Sequence, residues 1–291
     1  MIKTDNVIGN LPAISAIYFA LLQSGYDYYS LGRTQEQIKA VKSFYKPELS
    51  SCFFSQAKQN TCETYLYWPR SALLESAVFY INSDMSQFSD FKAYKRFVMS
   101  ASNLQDTERD DSFWSWMSAF PEELNKVINS EHFKEYLKWE NVWIEQQNKA
   151  NAKALTVLQD IIKKCIKQYN SSISDIKIVL SPIKCAYSSD YHITDKQLIF
   201  SSGAFNLESV IHEFLHHIIH PYIHKMQSHI LASKRNFYGI DSSYSLSDNK
   251  NGKLNAFEEY SVRTLTKEVS SQTQPDDLRK YILSLLDGKN L

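Results

Sequence analysis

The stretch Ile211–Ile219, IHEFLHHII, contains His-Glu-x-x-His at His212, Glu213 and His216. On an α-helix, residues four apart share a face, so both imidazoles can reach one tetrahedral cation at about 2.0–2.1 Å. Glu213 lies about 100° around the axis, from where its carboxylate can take a proton from a water polarised by the cation. The alternative is a helix that merely contains two histidines and a glutamate. The apolar flanks predict a buried helix, where unpaired imidazoles and carboxylates are costly, so the sequence predicts a bound Zn²⁺ with Glu213 as catalytic base.

A catalytic zinc site has three protein ligands and one open position, so a third ligand is required. The extended motif HExxHxxGxxH is excluded because residue 219 is Ile and residue 222 is Tyr. His220 lies too far along and around a continuous helix to complete the tetrahedron. A carboxylate from a later helix is therefore expected.

The segment 257–263, FEEYSVR, follows a polar stretch and is typical of the start of such a helix. Neighbouring residues on a helix diverge by about 100°, so only one of its two acids can face the metal. Glu259 is favoured because Arg263, four residues on, can orient its carboxylate. Glu258 remains an alternative, as do Asp241 and Asp248.

The order of predicted elements indicates an α+β fold that is predominantly helical. Apolar residues recur at helical spacing through the first half, and from residue 152 the order is helix, strand, strand, helix, loop, helix. Pro221 is expected to end or kink the helix that carries the motif. We expect a helical N-terminal region at 1–149 and a catalytic unit at 150–291, or one compact unit. The expected N-terminal helices are Ile14–Leu22, Ile38–Tyr45, Leu73–Ile81, Phe91–Met99 and Phe113–Phe120; the expected strands are Ile176–Leu180 and Gln197–Ser201.

Composition excludes several classes of function. The 32 basic residues balance the 32 acidic ones, so no charge footprint for nucleic acid or an anionic membrane is present. The 7 glycines disfavour a Gly-rich phosphate loop. The 4 cysteines are scattered without a CxxC pair, which favours a reducing, cytoplasmic compartment. The apolar run 11–22 is interpreted as a buried helix, with a signal peptide and a secreted form as the alternative.

The motif together with a Glu on a following helix resembles the gluzincin branch of the zincin metallopeptidases. It is also similar to bacterial zincin-like proteins of unknown function, through HEF-x-H, Pro221 and EEYSVR. The resemblance covers the C-terminal half of the chain. It implies a backing helix, a small sheet with an edge strand, the active-site helix and a Glu-bearing helix.

The same resemblance implies Zn²⁺, a peptide or protein substrate and Glu213 as general base. An extended substrate would pair with the sheet edge, for which Gln197–Ser201 is the candidate. A Tyr or His that stabilises the oxyanion is also implied, with Tyr260, His229 and Tyr244 as candidates. Two other functions stay open: a zincin that cleaves one partner protein, and a non-catalytic binding protein with the same fold.

Overall fold

The structure, a computed structural model, describes residues 8–25, 33–60, 63–65, 68–79, 111–186, 189–194, 196–235, 237 and 250–288. The helices among them are α1 (Pro12–Gln23), α2 (Gln35–Ser43), α3 (Cys52–Asn60), α4 (Ala72–Val78), α5 (Asp111–Met117), α6 (Phe120–Asn129), α7 (Glu131–Gln168), α8 (Leu207–Ala232), α9 (Lys250–Ser270) and α10 (Leu278–Asp287), with a short 3₁₀ turn at Pro47–Leu49. The strands are β1 (Ile8–Gly9), β2 (Glu63–Tyr65), β3 (Trp68–Arg70), β4 (Asp175–Leu180), β5 (Asp190–Thr194) and β6 (Gln197–Ser202).

These elements confirm a predominantly helical α+β fold. The expected helices of the first half are present except Phe91–Met99, which lies outside the described residues. The apolar run near the N-terminus forms α1, whose residues from Ile14 to Gln23 are buried. Among the described residues, no helix combines the length and apolarity needed to cross a membrane.

A four-stranded mixed sheet has the order β1-β4-β6-β5. β4 pairs in parallel with both β1 and β6, whereas β5 pairs antiparallel with β6. The expectation that Gln197–Ser201 forms the sheet edge is therefore wrong, because β5 covers that strand. β5 is short and carries Asp190 and His192, so its sequence lacks the apolar run that identified the other two strands.

The sheet separates two hydrophobic cores. In β4, Ile178 contributes to one core and its neighbour Val179 to the other. In β6, Phe200 and Ile199 divide in the same way, as expected because successive strand side chains point to opposite faces. Helices α8, α9 and α10 cover the first face, while α1 and its neighbouring helices cover the second.

Helix α7 connects the two cores. Its first half contributes Phe133 and Tyr136 to the α1 side, and its second half contributes Leu155 and Leu158 to the α8 side. The helix is continuous from Glu131 to Gln168, so the expected boundary between residues 149 and 150 falls inside it. β1, from the N-terminal region, also pairs with β4.

Helix α8 carries the His-Glu-x-x-His motif and is longer than expected. Asn206 caps its start by accepting a hydrogen bond from the Ser209 backbone N–H at 2.9 Å, which satisfies a free donor of the first turn. Of the two expectations for Pro221, a helix end and a kink, the helix end is wrong, since α8 continues to Ala232. A proline inside a helix costs about 3 kcal/mol. Burial of Ile223, Met226 and Ile230 beyond it offsets that cost.

Candidate metal centre

Three potential ligand atoms converge between α8 and α9. The Nε2 atoms of His212 and His216 lie 3.2 Å apart. Glu259 Oε2 lies 3.5 Å from the first and 3.4 Å from the second. Ligands bound tetrahedrally at about 2.0–2.1 Å are separated by roughly 3.3 Å. The three atoms therefore have the mutual spacing that one small divalent cation requires.

The packing of two helices creates this arrangement. His212 and His216 occupy successive turns of α8, and Glu259 lies on α9, which packs along α8. Apolar neighbours of these residues, including Phe214 and Phe257, are fully buried in the core between the helices and the sheet. The imidazoles of His212 and His216 keep 21% and 17% of their side-chain surface exposed, so the cluster is in contact with solvent.

The adjacent acid, Glu258, lies on the other side of the His216 ring. Its Oε1 accepts from His216 Nδ1 at 3.0 Å, and its Oε2 accepts from His220 Nδ1 at 2.9 Å. Metal-binding histidines commonly donate their second ring N–H to a carboxylate, which fixes the ring orientation and the tautomer. Glu258 is therefore placed to orient His216, whereas the carboxylate that faces both Nε2 atoms is that of Glu259.

Arg263 lies at the cluster, as expected from its position four residues after Glu259. Its Nε donates to Glu259 Oε1 at 2.5 Å. The guanidinium thereby occupies one carboxylate oxygen and leaves Oε2 directed at the imidazoles. This contact fixes the orientation of the Glu259 side chain.

The electrostatics of the cluster favour an ionised carboxylate and a protonated imidazole when no cation is bound. Burial acts to raise the pKa of Glu259, but hydrogen bonds with His212 and His216 outweigh it and lower that pKa well below its usual value. Burial acts to lower the pKa of His216, but hydrogen bonds with Glu258 and Glu259 raise it to about 9. A bound cation must therefore displace a proton from His216.

Glu213 lies beside this cluster and contacts the strand β5 region. Ser189 Oγ donates to Glu213 Oε1 at 2.8 Å. Burial raises the pKa of Glu213, and the charge of Asp190 adds to the effect, although the two histidines oppose it. A carboxylate with a raised pKa is a stronger proton acceptor near neutral pH. Its position and basicity suit the role of general base.

Tyr191, on β5, also lies at the cluster and was not among the residues expected from the sequence. Its ring stacks on that of His216 with centroids 6.2 Å apart and planes inclined by 12°. Burial, together with the negative charges of Glu258 and Glu213, raises the pKa of Tyr191 to about 12. The phenol therefore keeps its proton at neutral pH and can donate it in a hydrogen bond. No sequence motif marks Tyr191, because its place depends on the pairing of β5 with β6.

The two oxyanion candidates that lie within the described residues, Tyr260 and His229, are not brought to the cluster. The Tyr260 ring packs near Phe237, with centroids 5.9 Å apart, and beneath the Arg235 guanidinium. His229 is exposed near the end of α8, roughly 20 Å along the helix from His216 at 1.5 Å per residue. Tyr244, Asp241 and Asp248 lie outside the described residues.

Comparison with known proteins found no match to this chain. No family model matches the chain, and neither a curated protein nor a solved structure matches it.

Proposed function

We propose that this protein is a zinc-dependent hydrolase, a metallopeptidase that uses Glu213 as its general base. The observation that carries the proposal is the convergence of His212 Nε2, His216 Nε2 and Glu259 Oε2 at spacings of 3.2 to 3.5 Å, with Glu213 on the same helix. The donor set of two imidazoles and one carboxylate matches that of catalytic zinc sites.

The protein's own residues have separable tasks in this proposal. His212, His216 and Glu259 hold the cation; Arg263 and Glu258 orient two of these ligands. A bound zinc ion would supply Lewis-acid polarisation of a carbonyl and lower the pKa of water. Glu213 accepts the proton of the attacking water and then donates it to the leaving amine. The Tyr191 hydroxyl is the group we assign to donate to the oxyanion, in place of the candidates from the sequence.

The order of elements supports a zincin-type fold for this half of the chain. The second half of α7 backs a small sheet, and α8 and α9 follow with the ligands. Strand β5 forms the edge of the sheet among the described residues. An extended peptide can add to such an edge through main-chain hydrogen bonds, and we assign β5 as its binding strand.

A peptide-cleavage experiment tests the proposal. The zinc-loaded full chain is incubated with a library of unstructured peptides, and products are identified by mass spectrometry. We expect cleavage by the native protein and a loss of roughly 10²- to 10⁴-fold in rate for Glu213→Gln, with the zinc content unchanged. Glu208→Gln, an exposed acid on the same helix, serves as the matched control and keeps full activity.

Two other outcomes would contradict the proposal. A non-catalytic binding protein cleaves none of the peptides and keeps its partner in Glu213→Gln. A hydrolase that keeps full activity in Glu213→Gln would show that this carboxylate is not the base.

A further inference from the structure

A buried charge network lies on one side of β5. Lys184, in the connection between β4 and β5, is fully buried. Its ammonium group donates to Glu75 Oε1 at 2.5 Å, to Asp190 Oδ2 at 2.7 Å and to Ser201 Oγ at 3.2 Å. The network therefore connects helix α4 with strands β5 and β6.

Glu75 is the centre of this network. Its second carboxylate oxygen lies 3.2 Å from His192 Nε2 on β5, and the Tyr18 hydroxyl on α1 donates to its first. Both Glu75 and Tyr18 are completely buried. Glu75 on α4 therefore contacts His192 directly and Asp190 by way of Lys184, and Tyr18 links α1 to the same carboxylate.

The opposite side of β5 contacts the candidate metal centre. Because strand side chains alternate, Asp190 and His192 point one way, whereas Ser189 and Tyr191 point the other. Ser189 Oγ bonds to Glu213 at 2.8 Å, and the Tyr191 ring stacks on His216. Any displacement or rotation of β5 therefore moves both contacts with the centre.

Stability alone does not account for such a network. Removing charges from water is costly, and replacing a buried ion pair by well-packed apolar side chains of similar volume often leaves stability unchanged or increases it. Hydrogen-bonded ion pairs add directionality, because they are satisfied in one relative arrangement of the groups. Here the arrangement fixes Asp190 and His192, the two polar side chains of β5 that point toward Glu75 and Lys184.

We propose that Glu75 is a positioning residue, which holds β5 in register and orientation for binding an extended peptide beside the metal centre. This inference rests on the proposed peptidase function and deepens it. It assigns the helical N-terminal region a role in substrate binding, although none of its described residues lies among the metal ligands. The network acts through Lys184, Asp190 and His192.

The test compares Glu75→Gln with Glu140→Gln in the zinc-loaded full chain. Glu140 is an equally buried acid, but the side chains that donate to its carboxylate, Asn10, Ser15 and Tyr136, all lie outside β5. Two quantities are measured: amide hydrogen exchange of the β5 segment, and kcat and KM for a peptide that the native protein cleaves. Zinc content is measured in parallel.

We expect Glu75→Gln to accelerate exchange in β5 at least about tenfold and to raise KM about tenfold. The value of kcat should fall as well, because the contacts of Ser189 and Tyr191 with the centre move with the strand. Zinc content stays at the native value, and Glu140→Gln changes neither quantity. A merely structural role would instead reduce the folded fraction, which lowers apparent kcat and leaves KM unchanged. An unchanged KM, or an equal rise in Glu140→Gln, overturns the inference.

The exchange measurement separates this inference from the proposed function. If the native protein cleaves no peptide, the peptidase proposal fails, and β5 exchange alone decides whether Glu75 positions the strand. Exchange that rises only in Glu75→Gln supports the inference, and exchange that rises equally in both variants overturns it. Should Glu75→Gln not fold, Tyr18→Phe replaces it, since this change removes one hydrogen bond to Glu75 and retains the ring.

Discussion

Glu258 and Glu259 are consecutive in the chain, yet their carboxylates contact opposite nitrogens of the same imidazole. Glu259 Oε2 lies 3.4 Å from His216 Nε2, and Glu258 Oε1 lies 3.0 Å from Nδ1. The two acids diverge because neighbouring helical residues are about 100° apart. One is placed to bind the cation, and the other is placed to orient the imidazole that binds it.

This division predicts different effects of the two substitutions on zinc binding. Glu258→Ala removes an orienting group, which typically costs about 10- to 100-fold in metal affinity. Glu259→Ala removes a ligand and should cost more, because only two protein donors remain. Competition with a chromogenic chelator gives both dissociation constants. A larger loss for Glu258→Ala would move the third ligand to that residue.

Loss of either imidazole ligand should abolish stoichiometric zinc binding. We expect about one zinc per chain in the native protein and none retained after dialysis in His212→Ala or His216→Ala. The control is His217→Ala, since this residue lies on the same helix but contacts Ser172, with Nε2 and Oγ 3.3 Å apart. Elemental analysis provides the measurement, and zinc retained by both ligand variants would contradict the site.

Zinc affinity should rise with pH up to about 9. The pKa of His216 in the metal-free protein is raised to about 9, so below that pH the ring carries a proton that zinc must displace. Each displaced proton makes the apparent affinity increase about tenfold per pH unit, and the slope flattens once His216 is neutral. Glu259 contributes no slope near neutrality, because its pKa lies well below its usual value.

Calorimetry in buffers of different ionisation enthalpy measures the proton release directly. Glu258→Gln removes the partner whose hydrogen bond and charge raise the pKa of His216, so it should reduce the release near pH 7.5. An affinity that does not change between pH 6.5 and 8.5 would show that His216 is already neutral there.

Zinc should stabilise the folded protein, because the ligands come from two helices that converge only after folding. At free zinc about 1,000 times the dissociation constant, the expected gain is about 4 kcal/mol, which for a chain of this size raises Tm by roughly 10 °C. Differential scanning fluorimetry with and without a chelator measures it. His216→Ala should show no zinc-dependent shift, and an equal shift would indicate a different binding site.

Local sequence was sufficient for the features set by neighbouring residues. The His212–His216 spacing follows from the 3.6-residue period of a helix, and the Nε2 atoms do converge. The orientation of Glu259 by Arg263 follows from the same period, at a separation of four. The helices of the first half were likewise predicted from the spacing of apolar residues, and strands β4 and β6 from their short apolar runs.

Tertiary structure alone decided which distant elements meet. Pairing with β6 makes β5 the edge strand and brings Tyr191 to His216, and packing of α9 on α8 aims Glu259 rather than Glu258 at the Nε2 atoms. The helix also continues through Pro221, because burial beyond it outweighs the local penalty. The helical period relates residues three or four apart in the sequence, so its consequences can be predicted from a short segment. The contacts between distant elements depend instead on the balance of burial across the whole chain.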